Sequence, residues 1–162
     1  MATGYQTNGD IRMVFDAQVG YGDLVEKDHD LERDPGLETA VIVSLFSNRR
    51  AEEGDALPDQ DSSREGWWAD SLEGAEPHGS KLWLLGREKI VPARLLPRAQ
   101  QYVKEALQWM IDDGAASEIN VTATRYSRDT IRIAIEVVRP EIDRPEFYTY
   151  YYNWVEQAAR SG

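Results

Sequence analysis

The sequence predicts an α+β fold, with two principal helices and a C-terminal antiparallel β-sheet of two to three strands. Two helical stripes and one alternating hairpin carry that prediction. Leu37, Val41 and Leu45 recur every four residues in a first segment, and Leu95, Ala99, Val103, Ala106 and Met110 form a similar stripe in a second. Farther on, Ile119, Val121, Ala123 and Arg125 alternate in one arm, and Ile131, Ile133, Ile135 and Val137 alternate in the next. Residues 127–129 lie between the arms as a turn.

Taken in order, residues 1–10 are expected to fray. Residues 11–15 and 19–26 have short strand-like character around the glycines at 20 and 22. The first helix is expected to open at Asp34 as N-cap, with Pro35 in its first position and Glu38 adding an acid at the positive end. Ala40 and Ser44 widen its stripe, and Ile42, Val43 and Phe46 make it apolar almost all round, so it needs cover on several sides. Arg49 and Arg50 are expected to close it with positive charge.

Residues 51–66 read as an exposed acidic loop, followed by two aromatic blocks, GWWAD (66–70) and GSKLWLL (79–85). Adjacent residues of a strand face opposite sides. If GWWAD is a strand, one of Trp67 and Trp68 therefore lies in a groove or an interface; an irregular turn would bury both rings. The second helix is expected over 93–113, starting from Pro92, with Leu96, Tyr102, Leu107 and Ile111 joining its stripe. Pro97 is expected in its first turn, where a missing donor costs little, and Gly114 just past its end. After the hairpin, Phe147, Tyr148, Tyr150, Tyr151, Tyr152 and Trp154 crowd into eight residues. That density favours a third strand near 146–155, with Tyr148, Tyr150, Tyr152 and Trp154 on one face and a short frayed end beyond. A helix through Ala159 is the competing assignment.

The composition narrows the class. A chain of 162 residues is expected to form a single domain over 1–162, and 41% hydrophobic content with five tryptophans supplies a core. Mean hydropathy is −0.57, and no stretch reaches the roughly 20 apolar residues of a membrane span. The opening residues show neither a basic n-region nor an apolar h-region, and there is no cysteine for a disulfide or thiolate. These features point to a protein made and kept in a cytoplasm, with no membrane partner. The net charge of −11 argues against a surface that tracks phosphates, so no nucleic acid is expected. The charge is unevenly placed. Glu52 to Glu76 holds nine acids and one base, whereas Lys81 to Lys104 holds six bases and one acid. Such segregation suits head-to-tail contact between copies, or simply a solvated loop beside a basic helix face.

Catalytic and metal patterns were weighed against the same residues. Asp28, Asp30, Glu32 and Asp34 alternate as in a calcium loop, but Arg33 and Thr39 stand where that loop requires glycine and an acid. His29 and His78, the two histidines, lie far apart in sequence, and neither a nucleophile elbow nor a phosphate loop is present. No catalytic residue, cofactor or metal is assigned. A glycosidase-like cell-wall hydrolase with paired carboxylates is the alternative function. Arg49, Arg50 and Arg64 could pair with Asp70 or Glu38 within the fold, or with acids of a neighbour. Trp83 and Trp109 suit a core better than a cofactor site.

Four blocks stand out together: DPGLETAVIVSLFSNRRA, REGWWAD, GSKLWLL and ALQWM. In order and separation they resemble the small baseplate wedge proteins of Mu-like contractile-tailed phages, a family often encoded in prophages. That family shows a D-x-GLETAV-like helix start, a run ending in D/N-RRA, then RGWWxD, GSxLWLL and an AL-x-W helix. The likeness spans about Asp23 to Arg139. Glu65 departs from it, separating Arg64 from Gly66 and loosening any pairing of that arginine with Asp70.

The resemblance implies a non-enzymatic structural subunit similar to sheath-initiator proteins. These have a compact α+β core, sit in six copies in the baseplate, and offer strands to the first sheath ring. The implied partners are the tail sheath protein, tail tube or hub proteins and other baseplate wedge proteins. Assembly would take place in the host cytoplasm, and the product would reside in the virion tail baseplate. The expected wedge contact uses Trp67, Trp68, Asp70 and Trp83, with Arg49 and Arg50 beside it; the expected sheath contact uses Tyr148, Tyr150, Tyr152 and Trp154. On this reading, removing everything after Arg139 leaves a folded domain that no longer nucleates sheath.

Overall fold

The computed structural model describes residues 11–16, 21–24, 26–27, 30–31, 36–55, 57, 64, 66, 78–86, 92–156 and 158–161. Two short N-terminal hairpins come first: β1 (Met13–Asp16) with β2 (Tyr21–Leu24), and β3 (Glu26–Lys27) with β4 (Asp30–Leu31). Helix α1 (Glu38–Phe46), a 3₁₀ turn (Leu82–Gly86) and helix α2 (Pro92–Asp112) follow. A four-stranded antiparallel sheet closes the chain, in the order β5 (Glu118–Arg125), β6 (Thr130–Val138), β7 (Glu146–Asn153), β8 (Ala158–Ser161). The class is α+β, as expected, with one strand more than the sequence indicated.

The sheet forms because the alternation places Ile119, Val121, Ile131, Ile133, Ile135 and Val137 on one face. The register sets Ile119 opposite Val137, Val121 opposite Ile135, Ala123 opposite Ile133 and Arg125 opposite Ile131. Ile131, Ile133, Ile135 and Val137 are all buried, and each such side chain contributes about 1.5–3 kcal/mol. Helix α2 lies along this face with Leu95, Ala99, Val103, Ala106, Leu107 and Met110 buried. At 21 residues it is about 30 Å long. Gly114, at φ +75°, ends it by donating its N–H to Ile111 O at 3.0 Å. Pro97 sits six residues in rather than in the first turn. It is exposed, and the carbonyl of Ala93 loses a helical partner there.

Helix α1 is covered on several sides, which explains its unbroken apolar surface. Thr39, Val41, Ile42, Ser44 and Leu45 are buried. Phe46 meets the rings of Tyr150 and Tyr152 at centroid distances of 5.4 and 6.4 Å. Ser44 Oγ accepts the indole N–H of Trp109 from α2 at 3.0 Å. Thr39 Oγ1 accepts the Met13 N–H and donates to Ile11 O, tying β1 to the helix.

Both expected ends of α1 are corrected. The N-cap is Leu37, which has no side-chain capping bond; Asp34 and Pro35 lie outside the described residues. Instead, the Leu37 N–H donates to Tyr148 Oη at 3.0 Å, and that hydroxyl donates to Glu146 Oε2 at 2.9 Å. A strand tyrosine thus satisfies the helix start. Tyr148→Phe is expected to cost about 1–2 kcal/mol, read as a lower urea midpoint at unchanged slope. At the other end the helix stops at Phe46, before Arg49 and Arg50, because Ser47 turns to extended backbone and Asn48 forms a parallel bridge with Ser80.

The C-terminal expectation is corrected too. β7 ends at Asn153, and Trp154 opens a turn with its N–H on Asp129 O. The chain then returns as β8, setting Ala159 opposite Tyr152. Ala158–Ser161 are therefore a paired strand, not a loose end.

Candidate functional site

Two constructions in this fold bear on contact with other molecules. The first is a clasp at the end of α1, built by the GSKLWLL block. Gly79, at φ +93°, lies so close to the backbone of Ser47 that a Cβ there would stand 2.3 Å from Ser47 O. The Ser80 N–H donates to Ser47 O at 2.9 Å, the Arg49 N–H donates back to Ser80 O at 3.0 Å, and Ser80 Oγ donates to Leu45 O. The same oxygen accepts the Leu82 N–H and so starts the 3₁₀ turn. Leu82, Trp83, Leu84 and Leu85 are all buried, and the Trp83 indole donates to Arg49 O at 2.9 Å.

Lys81 is the one cation in this apolar block, and it is buried with its charge intact. Its Nζ lies 2.7 Å from Asp55 Oδ2 and 2.9 Å from Glu52 Oε1. Burial alone would push the Asp55 carboxyl up. The Lys81 ammonium, the Glu52 backbone N–H and the charges of Lys81 and Arg98 together hold it below its ordinary value. Burial likewise pulls Lys81 down, and the two carboxylates outweigh it, holding Lys81 above its ordinary value. The start of the acidic stretch is thereby fixed to the fold rather than free. Arg64 reinforces it by donating to the carbonyls of Ala51 and Glu52, while Arg64 O accepts the Ala51 N–H at 3.0 Å.

The second construction is the edge of the sheet. The Tyr126 N–H bonds to Thr130 O, and pairing alternates along an antiparallel ladder. The backbone groups of Ile119, Val121 and Ala123 therefore point away from β6. Gln100 Nε2 of α2 reaches Val121 O at 3.3 Å, consistent with that direction. Among the described residues no strand pairs with this outer side of β5. β7, by contrast, is flanked on both sides, and β1 packs near β8.

The sequence-derived contact residues distribute as follows. Trp67, Trp68 and Asp70 lie outside the described residues. Trp83 is a core residue, not a surface one. Arg49 is half-buried with its guanidinium 3.9 Å from Glu52, and Arg50 is exposed. Tyr148, Tyr150 and Tyr152 share a face as expected, but it is the inner face: Tyr150 is 1% and Tyr152 4% exposed. Trp154 is partly buried, with the Arg125 guanidinium 5.7 Å from its ring centre. Sequence reasoning passed over Lys81, Asp55 and the β5 edge. A lone lysine among leucines and tryptophan was a legible signal for the first; the edge depends on where β8 docks, which no local pattern states.

The fold thus presents a clasp between α1 and the 3₁₀ turn, and a sheet edge with no strand paired to it among the described residues. Residues 37–144 match the family model described as phage protein GP46, and the chain belongs to that family. It is 42% identical over 122 residues to the baseplate protein gp46 of Escherichia phage Mu, covering 75% of this chain and 83% of that one. It is 38% identical over 135 residues to the Mu-like prophage FluMu protein gp46 of Haemophilus influenzae, covering 83% of this chain and 91% of that protein. Among the described residues, no helix is long and apolar enough to cross a membrane.

Proposed function

We propose that this chain is a structural subunit of a contractile-tail baseplate that joins the wedge and hub to the first sheath ring, six copies to a particle. Membership in the GP46 family and the likeness to the baseplate protein gp46 of phage Mu support the baseplate role. The observation that carries the sheath-joining step is the β5 edge, eight residues long and open on its outer side. An edge of this kind accepts a further strand through main-chain hydrogen bonds. The sheath strand therefore adds to β5, whereas β7, with Tyr150 and Tyr152 in the core, is an interior strand. Trp67, Trp68, Asp70 and Arg50 remain the proposed contacts to wedge neighbours.

This changes the experiment. Cutting after Arg139 would remove β7 and β8, and with them the buried Tyr150, Tyr152 and Ala159, so loss of sheath would only report unfolding. Ala123→Pro is the cleaner variant. Proline removes an outward N–H that the chain's own ladder does not use, a position where edge strands tolerate it. Co-expressed with the sheath, tube and wedge proteins encoded alongside it, the variant should fold and join the wedge yet yield no sheath stubs in electron micrographs. Ile119→Pro, at the next but one outward position, should do the same. Normal sheath on both folded variants would refute strand addition at β5.

A further inference from the structure

The hairpin end of the sheet carries exposed arginines beside aromatic rings. Tyr126 is 56% exposed, yet its ring stands edge-on to Tyr151 at 4.6 Å, across the outer face of the sheet. Arg132, exposed on the same face, is in register with Tyr151 on one side and Thr124 on the other. Arg128 extends from the turn with 93% of its side chain exposed, and its contact to Asp129, at 4.0 Å, is at the limit of an ion pair. Arg125 is already held in place. Its Nε donates to Ser127 O at 3.1 Å, its NH2 donates to Arg128 O at 2.7 Å, and its guanidinium lies near the face of Trp154. Arg125 and Trp154 lie on the inner side, which leaves Arg128 at the turn and Arg132, Tyr126 and Tyr151 on the outer face of a chain whose net charge is −11.

Arginine, tyrosine and tryptophan are the residues that dominate binding energy at protein interfaces, and lysine and the acids are depleted there. The fork of a guanidinium fits carboxylates. The complementary surface is present in the same sequence: Glu52 to Glu76 holds nine acids against Arg64 alone. Within one chain the described part of that stretch meets Lys81, Arg49, Arg64 and the charge of Arg98, not the hairpin end. We propose that the hairpin end, through Tyr126, Arg128, Arg132 and Tyr151, receives the acidic stretch of a second copy of this chain. The two surfaces differ, so the contact is head-to-tail, the kind that builds rings when its rotation closes. It is separate from strand addition at β5 and stands or falls without it.

The test is a titration of a synthetic peptide covering residues 50–77 into the full chain, followed by calorimetry. Binding should weaken with added salt. It should fall by roughly tenfold or more in the double variant Arg128→Glu/Arg132→Glu, which alters only exposed side chains. The same peptide with its acids replaced by their amides should not bind. Arg94→Glu/Arg98→Glu on α2 should leave the affinity within about twofold and serves to separate this surface from the other basic stretch. Absence of peptide binding, equal binding by the amide peptide, or unchanged affinity in the hairpin variant would each overturn the proposal. Loss through the α2 variant instead would move the docking surface to that helix and overturn it equally.

Discussion

Gly79→Ala is expected to destabilise the protein by roughly 3–5 kcal/mol, a large part of the stability of a domain this size. Two costs combine. The backbone there sits at φ +93°, which a side chain raises by about 1–3 kcal/mol. The added Cβ would also stand 2.3 Å from Ser47 O and 2.9 Å from Ser47 C, and both are main-chain atoms. They cannot swing aside, because Ser47 O accepts the Ser80 N–H at 2.9 Å and Ser47 closes the end of α1. Relief would require opening the junction between α1 and the 3₁₀ turn, which buries Leu82, Trp83, Leu84 and Leu85. A thermal midpoint lowered by roughly 6–20 °C is the expected reading. Gly54→Ala is the matched control, since nothing lies within 4 Å of a Cβ there, and it should change stability by less than about 0.5 kcal/mol. A Gly79→Ala variant as stable as the control would show that the clasp yields.

That clasp explains what the GSKLWLL block is for. Its glycine permits contact with α1, its serine serves both the end of that helix and the start of the 3₁₀ turn, and its tryptophan bonds to Arg49 O while filling the core. Read as a string, the block offered only aromatic and apolar character, which suited a surface as well as an interior. The carbonyls that accept from the Ser80 hydroxyl and the Trp83 indole lie more than 30 residues away in sequence, so local pattern could not choose. The tyrosine-rich strand failed similarly. Alternation gave the shared face of Tyr148, Tyr150 and Tyr152 correctly, but not which face, because that depends on Phe46 arriving from α1.

What alternation and periodicity did fix is the part governed by neighbours. The β5–β6 register follows the inward set Val121, Ala123, Ile133 and Ile135, since a slip of one residue would turn all of them outward. The α2 stripe from Leu95 to Met110 is legible for the same reason. The open edge was not. β7 stopped being an edge because Ala158–Ser161 paired with it, and three small residues with one arginine carry almost no strand signal. The proposed sheath contact is therefore the first strand of the hairpin and not the last aromatic strand.

Lys81→Met should cost about 1–3 kcal/mol at neutral pH. This is below the value for a fully buried pair, since Asp55 retains 22% of its side-chain exposure and Glu52 68%. Methionine keeps the stem that fills the clasp and removes only the charge. The pH dependence identifies the partner. Asp55 lies below its ordinary 3.8 in the folded state, so its contribution is complete above that value and is lost as the pH falls through the folded value. Lys81 lies above its ordinary 10.5, so its contribution is complete below that value and is lost as the pH rises through the folded one. The stability difference between the natural chain and Lys81→Met should thus be flat from about pH 5 to 9 and shrink toward both extremes. Urea midpoints across that range provide the measurement, and a difference that changes through neutral pH would assign the effect to another group. Asp55→Asn completes a double-mutant cycle, in which a coupling near zero would show that the ion pair does not hold the acidic stretch to the fold. If the coupling is present, the pair holds the Asp55 end of the acidic stretch to the clasp.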